Sequence, residues 1–176
     1  TVGDYPVTMT GNTISETTVQ TLGGDMVLIQ DTGVGGSTLT LDIHDNGNPQ
    51  ARTGGFRSQR TLGFAALSVD WNGAITNNSS IVNNVFDLSG GNVLSGHTRT
   101  SIVQRNSTMA NFIQYSGNTL QTAVQPNLGI GAYTGLFMQF AGQTTALITN
   151  NFANDNAGNP TIAGFQMNAI NSTAMD

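Results

Sequence analysis

The chain has 176 residues, of which 9% are charged, and it contains 22 glycines but neither lysine nor cysteine. A chain of this length predicts a single domain. An average soluble domain has about 25% charged residues, so solubility here depends on neutral hydrogen-bonding groups, those of 24 Thr, 12 Ser, 20 Asn and 11 Gln.

The missing residue types exclude several classes of chemistry. Without lysine there is no Schiff-base enzyme and no phosphate-loop lysine, and without cysteine there is no disulfide framework or zinc thiolate site. The two histidines, His44 and His97, are too few for a three-histidine metal site. Five arginines in a chain of net charge −5 do not form the dense basic face that phosphate binding needs. We therefore expect no enzyme, no nucleic-acid partner and no cofactor except, at one loop, calcium.

The sequence also bears on the compartment. No run of 18 apolar residues occurs, so we expect no helical membrane span. The sequence starts at Thr1 rather than at Met, as it would after removal of a signal peptide, and we expect a protein outside the cell or on its surface. Several Asn-x-Ser/Thr sequons would arise by chance in a chain so rich in Asn and Thr, but they are candidate glycosylation sites, and they begin at Asn77, Asn78, Asn106 and Asn171.

Apolar residues recur with period two more often than with period 3.6, which predicts strands. Leu39, Leu41 and Ile43 share one face with threonines between them, as in a half-buried strand, whereas Asp25 to Gln30 is apolar on both faces and predicts a strand covered on both sides. The other predicted strands are Pro6 to Thr10, Thr13 to Thr21, Leu62 to Trp71, Ser80 to Leu88, Thr98 to Gln104, Asn118 to Gln125, Ala132 to Phe140, Thr144 to Thr149 and Thr161 to Ala169.

Turn-forming residues separate these strands roughly every 8–12 residues. The pattern predicts an all-β fold, an antiparallel sandwich or jelly-roll-like domain, over residues 22–176. Residues 1–21 are predicted to be an extended segment that could be donated as a strand to a neighbouring copy. Asp45 to Gly55 is the predicted long loop. A helix over Ser107 to Tyr115 is an alternative, because Met109, Phe112 and Ile113 have helical spacing.

Two short stretches resemble known repeats or modules. Gln114 to Gln125, with Gln104 before it, resembles one curlin repeat, the unit of secreted bacterial amyloid fibres. The pattern covers about 22 residues and does not recur at a fixed spacing, so the chain is not assigned to that family. Ser68 to Thr76 resembles the hairpins of phage tail-fibre and spike modules. Neither stretch predicts a solenoid.

The densest group of oxygen ligands follows the half-buried strand. Asp42, Asp45, Asn46 and Asn48 lie on a loop that contains glycine, and carboxylate, amide and carbonyl oxygens are the ligands that calcium prefers. The alternative is a turn in which the Asp and Asn side chains bond their own backbone.

Aromatic residues suggest a second kind of site. Trp71, Tyr5, Tyr115 and Tyr133 could form a platform on which a sugar stacks, although packing in the core is the more ordinary use of such side chains.

The absence of lysine bears on assembly as well as on chemistry. Monomers commonly guard sheet edges with lysine, and low charge weakens the repulsion between copies. We therefore expect a structural protein, a self-assembling subunit of an extracellular filament, pilus-like fibre, sheath or surface layer whose partner is the chain itself. The alternatives are a phage or viral structural protein, as a capsid decoration or tail-fibre module, and a carbohydrate-binding adhesin whose partners are glycans.

Overall fold

The structure is a computed structural model that describes residues 3–16, 26–31, 36–58, 65–71, 73–88, 98–105, 109–122, 133–155 and 162–169. This part of the chain holds fifteen strands, and in it no helix is long and apolar enough to cross a membrane. The strands are β1 Asp4–Thr10, β2 Thr13–Glu16, β3 Val27–Asp31, β4 Thr38–His44, β5 Gly55–Ser58, β6 Leu67–Trp71, β7 Thr76–Val82, β8 Val85–Leu88, β9 Thr98–Gln104, β10 Asn111–Ser116, β11 Thr119–Thr122, β12 Tyr133–Phe140, β13 Thr144–Thr149, β14 Phe152–Asp155 and β15 Ile162–Ala169.

Every third strand belongs to the same sheet. Sheet 1 has the order β1-β4-β7-β10-β13, sheet 2 the order β2-β5-β8-β11-β14, and sheet 3 the order β3-β6-β9-β12-β15. All the pairings between these strands are parallel. The chain therefore winds five times around three sheets as a parallel β-helix, and we call each circuit of three strands a rung.

The all-β prediction is confirmed and the prediction of antiparallel strands is wrong, because the described strands form three parallel sheets; the sandwich or jelly roll is not confirmed. The reason lies in what the turns connect. Gly117 and Asn118 link β10 of sheet 1 to β11 of sheet 2, so the chain leaves one sheet for the next and returns to the first only a full rung later. Each strand has one face in the interior and one outside, as β4 does, and this alternation is also typical of antiparallel sheets.

The interior is built from columns of residues that stack from rung to rung. Ile43, Ile81 and Tyr115 form one column of sheet 1, and Phe56 and Phe86 stack in sheet 2 with ring centroids 5.3 Å apart. All five side chains are fully buried. Because registered residues lie on the same face of a sheet, each column excludes water along the axis, and this burial is the main contribution to stability.

A two-residue corner joins sheet 1 to sheet 2 in four of the five rungs. Its first residue has a positive φ, which is 68° at Gly11, 55° at Asn83, 66° at Gly117 and 55° at Asn150. Glycine and asparagine tolerate this left-handed conformation better than other residues. Its second residue is always asparagine, at positions 12, 84, 118 and 151.

The second rung has a longer connection at the same corner. Asp45 has a φ of 53° and Asn46 follows it, but residues 47–54 are inserted before β5. This insertion lies over sheet 2: the Arg52 guanidinium is 4.3 Å from the centroid of the Phe152 ring, and the Thr119 hydroxyl donates a hydrogen bond to the carbonyl of Pro49 at 3.2 Å. The predicted long loop is thus present, and it contacts two later rungs.

Several other predictions concern individual strands. Residues 3–16 of the N-terminal segment contain β1 and β2, which pair with β4 and β5 of the same chain, and donation of the segment to a neighbouring copy remains a prediction. The helix over Ser107 to Tyr115 is wrong where the structure describes it: β10 alternates, with Ile113 buried and Phe112 exposed. The strand predicted at Asp25 to Gln30 corresponds to β3, and the prediction that it is covered on both faces is wrong, because the Leu28 side chain is 53% exposed.

The predicted tail-fibre hairpin is also wrong. Its two strands, β6 and β7, belong to different sheets, and the segment between them joins the second rung to the third.

Candidate functional site

The corner asparagines stack along the axis as an amide ladder. Each ladder residue after the first accepts, at Oδ1, a hydrogen bond from the backbone N–H of the ladder residue one rung earlier, at distances of 2.8, 3.2, 2.9 and 2.9 Å. The Oδ1 atom also accepts from the Nδ2 of that earlier residue, at 2.8–3.1 Å. The ladder consists of Asn12, Asn46, Asn84, Asn118 and Asn151.

A third hydrogen bond ties the ladder to sheet 1. The Nδ2 of each ladder residue from Asn46 onward donates to a carbonyl of the preceding rung, at 2.8–2.9 Å, and the acceptors are Met9, Ile43, Ile81 and Tyr115. The side chains of Asn46, Asn84 and Asn118 are fully buried. Because buried polar groups destabilise a fold unless they are hydrogen-bonded, these amides fix the register of the rungs.

The ladder has a direction and ends differently at its two termini. Backbone N–H groups donate toward the C-terminal rungs throughout. At Asn12 no described residue donates to Oδ1, and at Asn151 no described residue accepts from the backbone N–H. Within the described part of the chain, the N-terminal end of the solenoid therefore has an acceptor without a partner, and the C-terminal end has a donor without a partner.

Apolar columns are uncovered at the same two ends. On sheet 3, one column runs from Val27 in the first rung to Phe165 in the last, and its neighbour runs from Ile29 to Met167. Phe165 is 45% exposed and Met167 is 37% exposed, although Leu136 and Met138, which precede them in the columns, are fully buried. At the opposite end Val27 and Ile29 are half-buried. The two end surfaces are the candidate functional site.

The predicted calcium ligands divide into two groups. Asp42 and Asp45 lie on the surface around His44, whose Nδ1 is 2.9 Å from the Asp45 carboxylate and whose Nε2 is 3.8 Å from Asp42. Asn46 is not with them, because its amide is a member of the buried ladder. Asn48 accepts a hydrogen bond from the N–H of Ala51 three residues later, so its side chain bonds the backbone of its own loop.

Calcium at Asp42 and Asp45 remains a prediction. Among the described residues no group of three or more His, Cys, Asp or Glu side chains could hold a metal ion.

The contact between His44 and Asp45 shifts both pKa values. The hydrogen bond from the imidazole to the Asp45 carboxylate raises the pKa of His44 above 6.5, and the charge of Asp42 acts in the same direction. The same hydrogen bond, with a second one from Asn83, lowers the pKa of Asp45 below 3.8. Both side chains lie at the surface, so solvent screens the attraction between them.

The sequons differ in their accessibility. Asn77 lies on the inner face of β7 and is fully buried, where its Oδ1 accepts a hydrogen bond from the Ser79 hydroxyl. A glycan on Asn77 is incompatible with this packing. Asn78 is exposed on the outer face of the same strand. Asn106 and Asn171 lie outside the described residues.

The predicted aromatic platform does not form. Trp71 and Tyr115 are fully buried, and Tyr115 instead makes a 2.9 Å hydrogen bond with Thr100 in the interior. Tyr5 is 44% exposed at the first rung, and the side chain of Tyr133 lies outside the described part.

A different polar surface is present on the outside of sheet 1. It is an open groove of about 660 Å³ whose lining residues are uncharged, and its outward side chains include Thr38, Thr76, Asn78, Phe112, Gln143 and Thr145. Phe112 is 48% exposed there.

Comparisons of the chain with protein-family models, with curated proteins and with solved structures found no match. The ladder and the end surfaces are therefore interpreted from their own chemistry. Neither was predicted from the sequence, where Asn46 was assigned to a calcium site or turn and Asn118 to the start of a strand. The sequence pattern that indicates the ladder is Gly, Asn or Asp, which tolerate a positive φ, followed by Asn directly after every third strand.

Proposed function

We propose that the chain is a structural protein, a rigid subunit that self-assembles into an extracellular filament, pilus-like fibre, sheath or surface layer. The observation that carries the proposal is that, among the described residues, nothing covers the apolar columns and strand edges at either end of the solenoid. Exposed strand edges pair readily with other chains unless they are blocked.

Few charges lie in the strands at these ends. The strands of the first and last rungs contain four acidic residues, Asp4, Glu16, Asp31 and Asp155, and no basic residue. Two of the arginines are paired with acids: Arg105 forms a two-pronged ion pair with Asp70 at 2.8 Å, and Arg57 lies 3.0 Å from Asp87. Copies of the chain therefore repel one another weakly.

The proposal is tested by sedimentation velocity and negative-stain electron microscopy over a range of protein concentrations. We expect polymers whose length increases with concentration. A monomer at the highest soluble concentration would overturn the proposal, and a discrete trimer at every concentration would favour the viral alternative, since closed rings and open polymers differ in symmetry.

Glycan binding is a second candidate, favoured by the uncharged groove on sheet 1. Hydroxyl and amide groups beside a half-exposed aromatic ring suit a neutral sugar, whose hydroxyls both donate and accept hydrogen bonds and whose apolar face stacks on a ring. Phe112→Ala should abolish retention on a panel of neutral glycans. Leu147→Ala is the matched control, because Leu147 is equally exposed on the same sheet, outside the groove. Equal retention of both variants would contradict the groove as the site.

A further inference from the structure

We infer that copies of the chain stack coaxially, with the last rung of one copy on the first rung of the next, so that the amide ladder and the apolar columns continue across the joint. This inference rests on the proposed self-assembly and specifies the contact through which it occurs. The occupant of each end surface is a second copy of the same chain.

The ladder restricts the contact to a head-to-tail arrangement. The unused N–H of Asn151 is a donor and the unused Oδ1 of Asn12 is an acceptor, and these are the two groups that pair between every two adjacent rungs inside the molecule. Two N-terminal ends would bring acceptors together, and two C-terminal ends would bring donors together. An arrangement that leaves buried polar groups unpaired is disfavoured.

Hydrogen bonds between the ladder and sheet 1 define the register of the joint. Within the chain, the Nδ2 of each ladder residue donates to a backbone carbonyl of the preceding rung. That carbonyl always belongs to the residue three positions before the ladder residue of that preceding rung, as Met9 stands three positions before Asn12. Continued across the joint, this rule pairs the Asn12 amide with the carbonyl of Ile148 of the partner subunit. The same register places Ile148 of the partner subunit over Met9, since both belong to the column of Ile43 and Tyr115.

Sheet 3 contributes apolar burial in the same register. Phe165 and Met167 of one copy meet Val27 and Ile29 of the next, because each pair occupies the two ends of one column. The half-exposed side chains of Phe165 and Met167 would then be covered in the same way as those of Leu136 and Met138 inside the molecule. A heterologous contact of this kind is open, so it generates a filament.

The test uses one blocking charge at each end. Ile29→Arg blocks the N-terminal end and Met167→Arg blocks the C-terminal end, since each places an unpaired charge in a joint that excludes water. We expect each variant alone to remain monomeric and to raise the concentration needed for assembly by about a hundredfold or more. An equimolar mixture of the two should give a discrete dimer, since one intact end of each kind is available.

Matched controls separate the end surfaces from the outer faces. Leu28→Arg and Leu147→Arg introduce the same charge next to each end, at side chains that are 53% and 48% exposed on the outside of the solenoid. They should assemble like the natural chain. The double variant Ile29→Arg with Met167→Asp should regain assembly, because the two new charges would meet at every joint.

Each other outcome identifies a different error. A dimer of either blocked variant by itself would mean that like ends pair. Assembly that is lost in the outer-face variants but kept in the end variants would mean that copies pack side by side. Either result would overturn the head-to-tail joint but not the proposed self-assembly. Absence of assembly by the natural chain would overturn the proposed function itself. Circular dichroism of each variant, together with dimer formation in the mixture, shows that the blocked chains are folded.

Discussion

The buried amide of Asn84 serves both neighbouring rungs at once. It accepts from the N–H of Asn46 at 3.2 Å and donates to the carbonyl of Ile43 at 2.9 Å and to Asn118 at 3.0 Å. Asn84→Ala should lower the free energy of unfolding by about 3 kcal/mol, because it leaves buried partners without hydrogen bonds. Urea denaturation measures this loss.

The matched control for that variant is Asn78→Ala. Asn78 is exposed on the outer face of β7, and its truncation should change the free energy of unfolding by less than about 0.5 kcal/mol. Equal effects of the two variants would show that the ladder does not stabilise the fold.

The pair formed by His44 and Asp45 gives the molecule a weak dependence on pH. Because the pKa of His44 is raised, its contribution to stability is complete below pH 6.5 and is lost as the pH rises through the raised value. Because the pKa of Asp45 is lowered, its contribution is complete above pH 3.8 and is lost as the pH falls through the lowered value. The interaction is therefore fully present between about pH 4 and 6.5.

The variant His44→Gln removes this pair while keeping a neutral polar side chain. The natural chain should melt at a higher temperature than the variant at pH 5.5, and the two should melt together at pH 9, where His44 is neutral in either state. Using the difference between the two chains cancels the titration of His97. A difference that stays constant from pH 5.5 to 9 would contradict the role of the imidazolium.

At the scale of the elements, the corners decide which strand joins which sheet. Gly55 begins β5 directly after the inserted loop and has a φ of 72°. A Cβ at this position would lie 2.5 Å from the carbonyl oxygen of Val85 and 2.7 Å from that of Asn46. Both atoms belong to the backbone, so neither can rotate away.

Gly11 provides the matched comparison for Gly55. Its φ is 68°, and a Cβ there would meet no atom within 4 Å. Gly11→Ala should cost about 1 kcal/mol for the left-handed conformation alone. Gly55→Ala should cost about 1–3 kcal/mol more, since overpacking is added to the same backbone penalty. Thermal or urea unfolding of both variants measures the difference, and similar losses would mean that β5 shifts without cost.

The strand positions could be predicted from the sequence, but their connections could not. Leu39, Leu41 and Ile43 alternate with polar residues, and that alternation depends on having one buried face. The alternation does not reveal whether the paired strand runs parallel or antiparallel. It also does not reveal whether a strand pairs with the next strand in the chain or with the third strand after it. The corner at Asn83 and Asn84 was included in one predicted strand, because asparagine between valines does not interrupt a period of two.

The ladder could not be predicted from a fixed repeat, because its residues are unevenly spaced in the sequence. Successive ladder residues are 34, 38, 34 and 33 positions apart, because residues 47–54 are inserted in the second rung and the other connections differ in length. A search for a fixed period misses such a repeat. Asn46 also lies beside Asp42 and Asp45, so it was interpreted as a calcium ligand when its side chain in fact points into the ladder.

On the scale of the whole molecule, the five rungs and the proposed joint predict an axial repeat. Strands in a sheet are about 4.8 Å apart, so five rungs advance about 24 Å along the axis. If the joint has the spacing of an internal rung, a filament of stacked copies should show a strong axial reflection at about 4.8 Å and a subunit repeat of about 24 Å. Fibre diffraction or the power spectrum of electron micrographs measures both. An axial repeat without the 4.8 Å reflection along the filament would mean that the β-helices lie across the filament, and coaxial stacking would be wrong.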